Sequence, residues 1–250
     1  MIPIKNTEQL NTMRDACRIT GEALLVAEEA IRPGISTKAL DEIIRAHIER
    51  RGARATFLGY GGFPGAACIS INNDVIHGIP SKDRILQDGD IVKVDVGAFY
   101  RGYTGDAART FAVGRISAEA RALIEATKEC FEKGAAAALV GNRIGDIGSA
   151  VEANAVKHGF SVVRKFVGHG VGAELHEEPE VPNFGTAGRG VRLFPGMTLA
   201  IEPMVNAGGA EVRILPDRWT VVTLDGSLSA HYENTVAVTA NGPEALTDIK

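Results

Sequence analysis

The sequence predicts an α+β fold made of two related halves, and three observations carry that prediction. Helix-period apolar patterns come in pairs, each pair is followed by strand-like runs, and this order occurs twice. A constant shift of 107 residues carries Gly34, Gly52, Leu86 and Gly89 onto Gly141, Gly159, Leu193 and Gly196. The same shift carries Val92, Val94 and Asp95 onto Leu199, Ile201 and Glu202, so an apolar-x-apolar-acid run recurs too. Matched glycines alone are weak evidence; the acid-bearing strand makes the repeat specific. The expected architecture is a pseudo-twofold repeat of a helix pair plus antiparallel strands. It forms a single domain over 1–250, with pseudo-repeats of about 1–113 and 114–250.

Each element has a local cause. From Thr7, the residues Leu10, Met13, Cys17, Leu24 and Ile31 recur at helical spacing until Pro33-Gly34 ends the pattern. A second helix starts near Ser36-Thr37, carries Leu40, Ile43, Ile44 and Ile48, and stops at Gly52 behind Arg50-Arg51. Cations in a last turn followed by glycine are the usual chemistry of a helix C-terminus. Strands follow at Ala67–Ile71 and Ile91–Val96; in the latter, Val92, Val94 and Val96 share one face and Lys93 and Asp95 the other. In the second half, helices run from about Ser117 through Phe131 and from Ile147 to His158, with strands at Ser161–Val163 and Met197–Ile201. Val113-Gly114 and Gly141-Asn142 read as turns, and no Pro/Ser-rich linker divides the halves.

Composition narrows the function classes. Over 250 residues, 45% hydrophobic and 23% charged content suits a globular protein rather than a disordered one. A net charge of −4 argues against a dominant nucleic-acid footprint, and no specific nucleic-acid motif occurs. The longest small-apolar run, Ala135–Val140, falls far short of the roughly 20 residues a membrane span needs. Met1–Asn6 lacks the apolar core of a secretion signal, and Cys17, Cys68 and Cys130 are scattered without a CxxC. Reduced thiols and a cytoplasmic location are expected.

The chemistry-bearing residues are acids in apolar settings. Asp95 is flanked by Val94 and Val96; Glu202 closes Leu199-Ala200-Ile201-Glu202-Pro203; Asp106 lies in Gly102–Asp106; Glu233 precedes Asn234-Thr235-Val236. His169 stands among glycines in Gly168-His169-Gly170-Val171-Gly172. A single acid of this kind is usually a solvated strand residue. If four converge, their charges require compensation, and two divalent cations would balance them. Oxygen-rich ligation with one imidazole favours manganese, iron, cobalt or zinc. Carboxylates bridging two such ions are a hydrolytic arrangement. Other signatures are missing: there is no GxSxG, His176-Glu177-Glu178-Pro179 is not HExxH, and the glycine run is not GxGxxG. His47 reads as a helix residue near charged groups and His158, before a helix-ending glycine, as a contact to the helix dipole, whereas His231 shares a strand face with Glu233 and reads as a second-layer or surface residue, with direct ligation the lesser alternative.

These motifs resemble one family. Asn72–Pro80, Asp88–Asp95, Gly105-Asp106, Gly168–Gly172, His176–Pro179, Ile201-Glu202-Pro203 and Tyr232–Thr235 are similar to those of type I (bacterial-type) methionine aminopeptidases, subfamily A of peptidase family M24. The resemblance runs from Ile4-Lys5 to Thr239 and implies the pita-bread fold. It implies that Asp106 and Glu233 bridge two divalent metals, with Asp95 holding one and His169 and Glu202 the other. The ions would be two among cobalt, manganese, iron, nickel and zinc, with a monovalent cation near Asn72 and Ser229. His77 would contact substrate near the scissile amide, His176 would bind the peptide carbonyl, and Glu202 would take the proton of the attacking water. Tyr60, Phe63, Cys68, Leu175 and Trp219 would form the methionine slot, with Phe57 nearby.

The implied reaction removes N-terminal methionine from nascent chains whose next residue is small, at or near the ribosome. Leu175 stands where an aromatic is frequent in the family, and Phe57 where cysteine is frequent, so a softer wall and wider side-chain tolerance are expected. Because Ile2 is bulky, this protein is expected to keep its own Met1. The alternatives are an Xaa-Pro-type relative and a non-catalytic binding protein of the same fold. Intact ligand positions and compact length weigh against both.

Overall fold

The computed structural model describes residues 2–249, so the expectation about Met1 lies outside the described residues. Helix α1 spans Thr7–Ala30 and α2 spans Thr37–Arg50. Asn6 and Gln9 exchange reciprocal bonds at 2.9 Å, each backbone N–H donating to the other's side chain, and this box opens α1. Ser36 caps α2 and Ser117 caps α3 (Ala118–Ala136), accepting from Ala39 and Ala120 N–H at 3.1 and 3.0 Å. Helix α4 spans Ile144–Lys157, beginning earlier than the Ile147 expected from its apolar pattern. The cause is local: the Arg143 N–H donates to Asp146 Oδ2 at 2.7 Å, closing a first turn with little apolar signal.

The internal repeat is visible in the hydrogen bonding. An isolated bridge between Ser36 and Ile85 recurs, 107 residues on, between Arg143 and Arg192. Gly34 N–H donates to Leu86 O at 2.8 Å, and its counterpart Gly141 N–H donates to Leu193 O at 3.1 Å. Both glycines sit at left-handed φ, 91° and 94°, which is why glycine recurs at this turn.

Two larger sheets carry the site. In the first, Ile91–Tyr100 pairs antiparallel with Tyr103–Ala112 on one side, and with Ala67–Ile71 and Arg54–Ala55 on the other. In the second, the order is Gly242–Ala245, Asn234–Thr239, Thr198–Ile201, Gly168–Gly170 and Glu177–Val181, again antiparallel throughout. Two three-stranded sheets complete the set: Ser229–His231, Met204–Asn206 and Ser161–Val162, and then Val212–Ile214, Val221–Thr223 and Asp74–Ile76.

The helices decide which strand faces are available for chemistry. Val92, Val94 and Val96 are buried in one cluster with Leu24, Leu40 and Ile44 of α1 and α2. Leu199 and Ile201 are buried with Phe131 of α3 and Ile147 of α4. With alternate residues committed to the helices, Lys93 and Asp95 project from the opposite face. The seam between halves is hydrogen-bonded: Glu233 N–H donates to Ala108 O at 2.9 Å.

Candidate metal centre

Register brings the acids together in pairs. Asp95 lies opposite Ala108, and Asp106 opposite Gly97, so the two carboxylates are diagonal neighbours on one sheet face. Asn234 pairs with Ile201, which leaves Glu233 and Glu202 at the ends of adjacent strands in the second sheet. His169 pairs with Ala200, one strand further across. Its approach requires glycine beside it, because a Cβ at Gly168 would lie 2.3 Å from the Ala200 carbonyl oxygen.

The donor atoms converge. His169 Nε2 lies 3.5 Å from Glu202 Oε1 and 3.7 Å from Asp106 Oδ2. Ligand-capable atoms of Asp106, His169 and Glu233 all fall within 4.8 Å of one another. His169 Nδ1 is 2.8 Å from the Gly170 carbonyl oxygen, so Nδ1 carries the proton and the Nε2 lone pair faces the space among the acids, where a cation can take it. Burial lowers the His169 pKa to about 3, which keeps the ring neutral.

Electrostatics set the condition for this crowding. Burial first, and the neighbouring Asp106 charge second, push Asp95 well above the usual carboxylate range. Glu202 and Glu233 are raised by burial and then by surrounding carboxylates, Asp106 foremost. Asp106 rises to about 7, again chiefly through burial. Asp95 Oδ1 and Asp106 Oδ1 are buried without any hydrogen-bond partner. Orphaned buried oxygens beside a neutral imidazole lone pair are what hard-to-borderline divalent cations bind, so the residues present fit such ions.

A cavity of about 190 Å³ opens onto these groups, and every residue expected at the site lines it. The apolar end is a cluster of Phe57, Phe63, Cys68 and Leu175, with Ile79 and Trp219 packed against it. Tyr60 differs from a slot wall: its residue is 44% exposed, and its hydroxyl lies 2.6 Å from His176 Nδ1 at the rim. His77, at left-handed φ of 58°, presents its ring edge-on to Trp219 and Phe166 at centroid distances of 6.3 and 5.9 Å. His176 and His169 stand 4.2 Å apart, ring to ring.

Several residues lie elsewhere than expected, or escaped the sequence reading. His158 bonds Glu129 on α3 at 2.7 Å, so a side-chain partner joins the helix-end contact expected for it. Of the two places expected for His231, the structure takes the second layer and not the surface: it is 1% exposed, with Nε2 3.7 Å from Glu202 Oε2 and 4.0 Å from Glu233 Oε2. Phe166 and Val167 line the cavity without any periodic signal, since they occupy an irregular segment. The monovalent-cation expectation is altered by Lys93. Its buried ammonium donates to the Asn72 carbonyl oxygen at 2.6 Å, and Ser229 N–H donates to that oxygen at 3.1 Å. A tethered amine, its pKa lowered by burial to about 7, therefore donates to an oxygen near which a free ion was expected.

Comparison with known proteins agrees with this geometry. A model of metallopeptidase family M24 matches residues 11–240. The chain is 54% identical over 247 residues to the methionine aminopeptidase of Clostridium acetobutylicum, covering 99% of each chain. It is 47% identical over 249 residues to methionine aminopeptidase 1 of Bacillus subtilis, covering both fully. The crystal structure of the Thermotoga maritima methionine aminopeptidase superposes with a TM-score of 0.98 at 42% identity, covering 100% of both chains. The prolidase of Pyrococcus furiosus is more distant, with a TM-score of 0.80 at 25% identity, and this chain covers 66% of it. The converging acids, the full-length relatives and the shared backbone lead to one conclusion: the chain belongs to metallopeptidase family M24 and has its pita-bread fold.

Proposed function

We propose that this protein removes N-terminal methionine from nascent polypeptides whose second residue is small, acting in the cytoplasm where they leave the ribosome. The observation that carries the reading is one cavity with two ends, a cluster of buried acids with His169 and an apolar slot beside them. The slot suits an unbranched apolar side chain, and the acids and histidines suit hydrolysis of the bond next to it.

Asp95, Asp106, His169, Glu202 and Glu233 would hold two divalent ions. When bound, the ions supply Lewis acidity and a nucleophilic water at neutral pH. The remaining work belongs to the chain. Burial lowers His77 to about 4, so it meets substrate as a neutral ring. The Tyr60 hydroxyl, its pKa raised by burial, stays protonated and donates to His176 Nδ1. That leaves His176 Nε2–H free to donate to the substrate carbonyl as negative charge develops there. Glu202 accepts the water's proton and passes it to the departing amine. Phe57, Phe63, Cys68, Leu175 and Trp219 exclude water from the bound side chain. Cys68 takes no covalent part, because burial holds its thiol far above the range in which a thiolate forms.

The test is a peptide panel assayed with and without a chelator. Met-Ala-Ser should be cleaved, Met-Leu-Ser and Xaa-Pro peptides should not, and the chelator should abolish turnover until manganese or cobalt is restored. Cleavage of Xaa-Pro peptides in preference to Met-Ala-Ser would defeat the substrate assignment. A Glu202→Gln variant that keeps both metals and near-full turnover would defeat the proton-acceptor role.

A further inference from the structure

His231 ends the Ser229–His231 strand, two residues before Glu233, and is 1% exposed. Its backbone is pinned on both sides by one side chain: its N–H donates to Thr110 Oγ1 at 2.9 Å, and its carbonyl accepts from that hydroxyl at 2.8 Å. The ring reaches the acid cluster at Glu202 and Glu233. His231 Nε2 lies 3.7 Å from Glu202 Oε2 and 4.0 Å from Glu233 Oε2. His169 Nε2 faces the other Glu202 oxygen, Oε1, at 3.5 Å. Glu202 thus stands between two imidazoles, one for each oxygen.

Neither ring nitrogen of His231 has a hydrogen-bond partner. A buried imidazole left unpaired is costly, so it calls for a role in the loaded site. Of the two Glu202 oxygens, His231 faces the one that His169 does not, and it is nearer to that oxygen than to Glu233. Shortening its 3.7 Å separation by roughly 0.8 Å makes an ordinary N–H···O bond.

We propose that His231 is a positioning residue for Glu202: its Nε2–H holds Oε2 in the geometry from which Glu202 relays the proton, without ligating metal. The inference rests on the proton-acceptor role assigned to Glu202 above. It adds that this carboxylate needs a nitrogen donor on Oε2 to work at full rate.

The test compares His231→Leu with His231→Gln in the metal-loaded enzyme. The Leu variant should lose kcat on Met-Ala-Ser by about 10- to 100-fold, the scale for partners behind a ligand. KM and the manganese affinity measured by calorimetry should stay within about threefold. The Gln variant, whose amide N–H reaches the same oxygen, should recover most of the loss. Full activity in the Leu variant would reduce His231 to packing. Loss of manganese affinity in step with kcat would make it a ligand, and failure of Gln to rescue would remove the donor; each overturns the proposal. If wild type itself fails on Met-Ala-Ser, the functional reading falls first and this inference with it. Should the Leu variant melt below assay temperature, His231→Met takes its place with the same outcomes.

Discussion

The Thr235 hydroxyl grips Asp106 by both of its backbone groups: it accepts from the Asp106 N–H at 3.0 Å and donates to the Asp106 carbonyl at 2.9 Å. One side chain from the second half therefore sets where an acid of the first half stands. Thr235→Val keeps the shape and removes both bonds. It should cost about 1–3 kcal/mol of stability, since two buried backbone groups lose their partner. It should also weaken manganese binding, whereas Thr235→Ser should restore both. Urea melts and calorimetric titration of the two variants check this.

Stability should fall with rising pH in the metal-free protein, while the gain from added metal should grow. In the metal-free protein, Asp106 titrates at about 7 when folded, against an ordinary 3.8. Between those values the native state holds a proton that the unfolded chain has lost, so stability falls as pH rises from about 4 to 7. The raised Asp95, Glu202 and Glu233 act in the same direction. Chelated protein should melt higher at pH 5 than at pH 7.5. Added manganese should raise the melting temperature more at pH 7.5, because ligation needs the acids ionised. Thermal melts across that range decide the sign.

Lys93 should make this protein indifferent to monovalent ions. Its ammonium already engages the Asn72 carbonyl, so exchanging potassium for tetramethylammonium should leave melting temperature and activity unchanged. Lys93→Asn should lower the melting temperature and make it rise with added potassium. A potassium-dependent wild type would show that the lysine does not substitute for an ion.

Leu175 should soften substrate choice. It is buried in the apolar cluster with Phe57, Phe63 and Cys68, where an aliphatic side chain leaves a more adaptable wall than an aromatic one. Measurable turnover of Leu-Ala-Ser is expected beside Met-Ala-Ser. Leu175→Phe should lower the ratio of the two kcat/KM values on the order of tenfold, the scale at which a methylene-sized difference is discriminated. Competition between the two peptides gives that ratio directly.

What the sequence could disclose was whatever depends on near neighbours. Helix caps, the left-handed glycine turns and the valine face of the Ile91–Tyr100 strand follow from spacing, because the backbone period decides which side chains share a face. The 107-residue shift had the same legibility, and the Ser36–Ile85 and Arg143–Arg192 bridges are its physical form. Acids in apolar strands marked the centre, since a carboxylate beside valines needs a reason to be buried. The strand face His231 shares with Glu233 marked it too, but left open whether it lay behind the acids or in solvent. Phe166 and Lys93 had no comparable mark, since Phe166 sits in an irregular segment and a lysine in a strand is ordinarily exposed.

The sequence by itself determined the elements, their doubling and the roster of charged groups. Tertiary structure alone decided which of them meet, because Asp106 and Thr235 are 129 residues apart and touch only when the two halves close along their shared seam. That closure turns scattered carboxylates into one pocket, while strand pairing within each half sets Lys93 on the Asn72 carbonyl and His231 beside Glu202. Contacts of such separation depend on sheet register and on the packing of helices behind the sheets, and no local period records either.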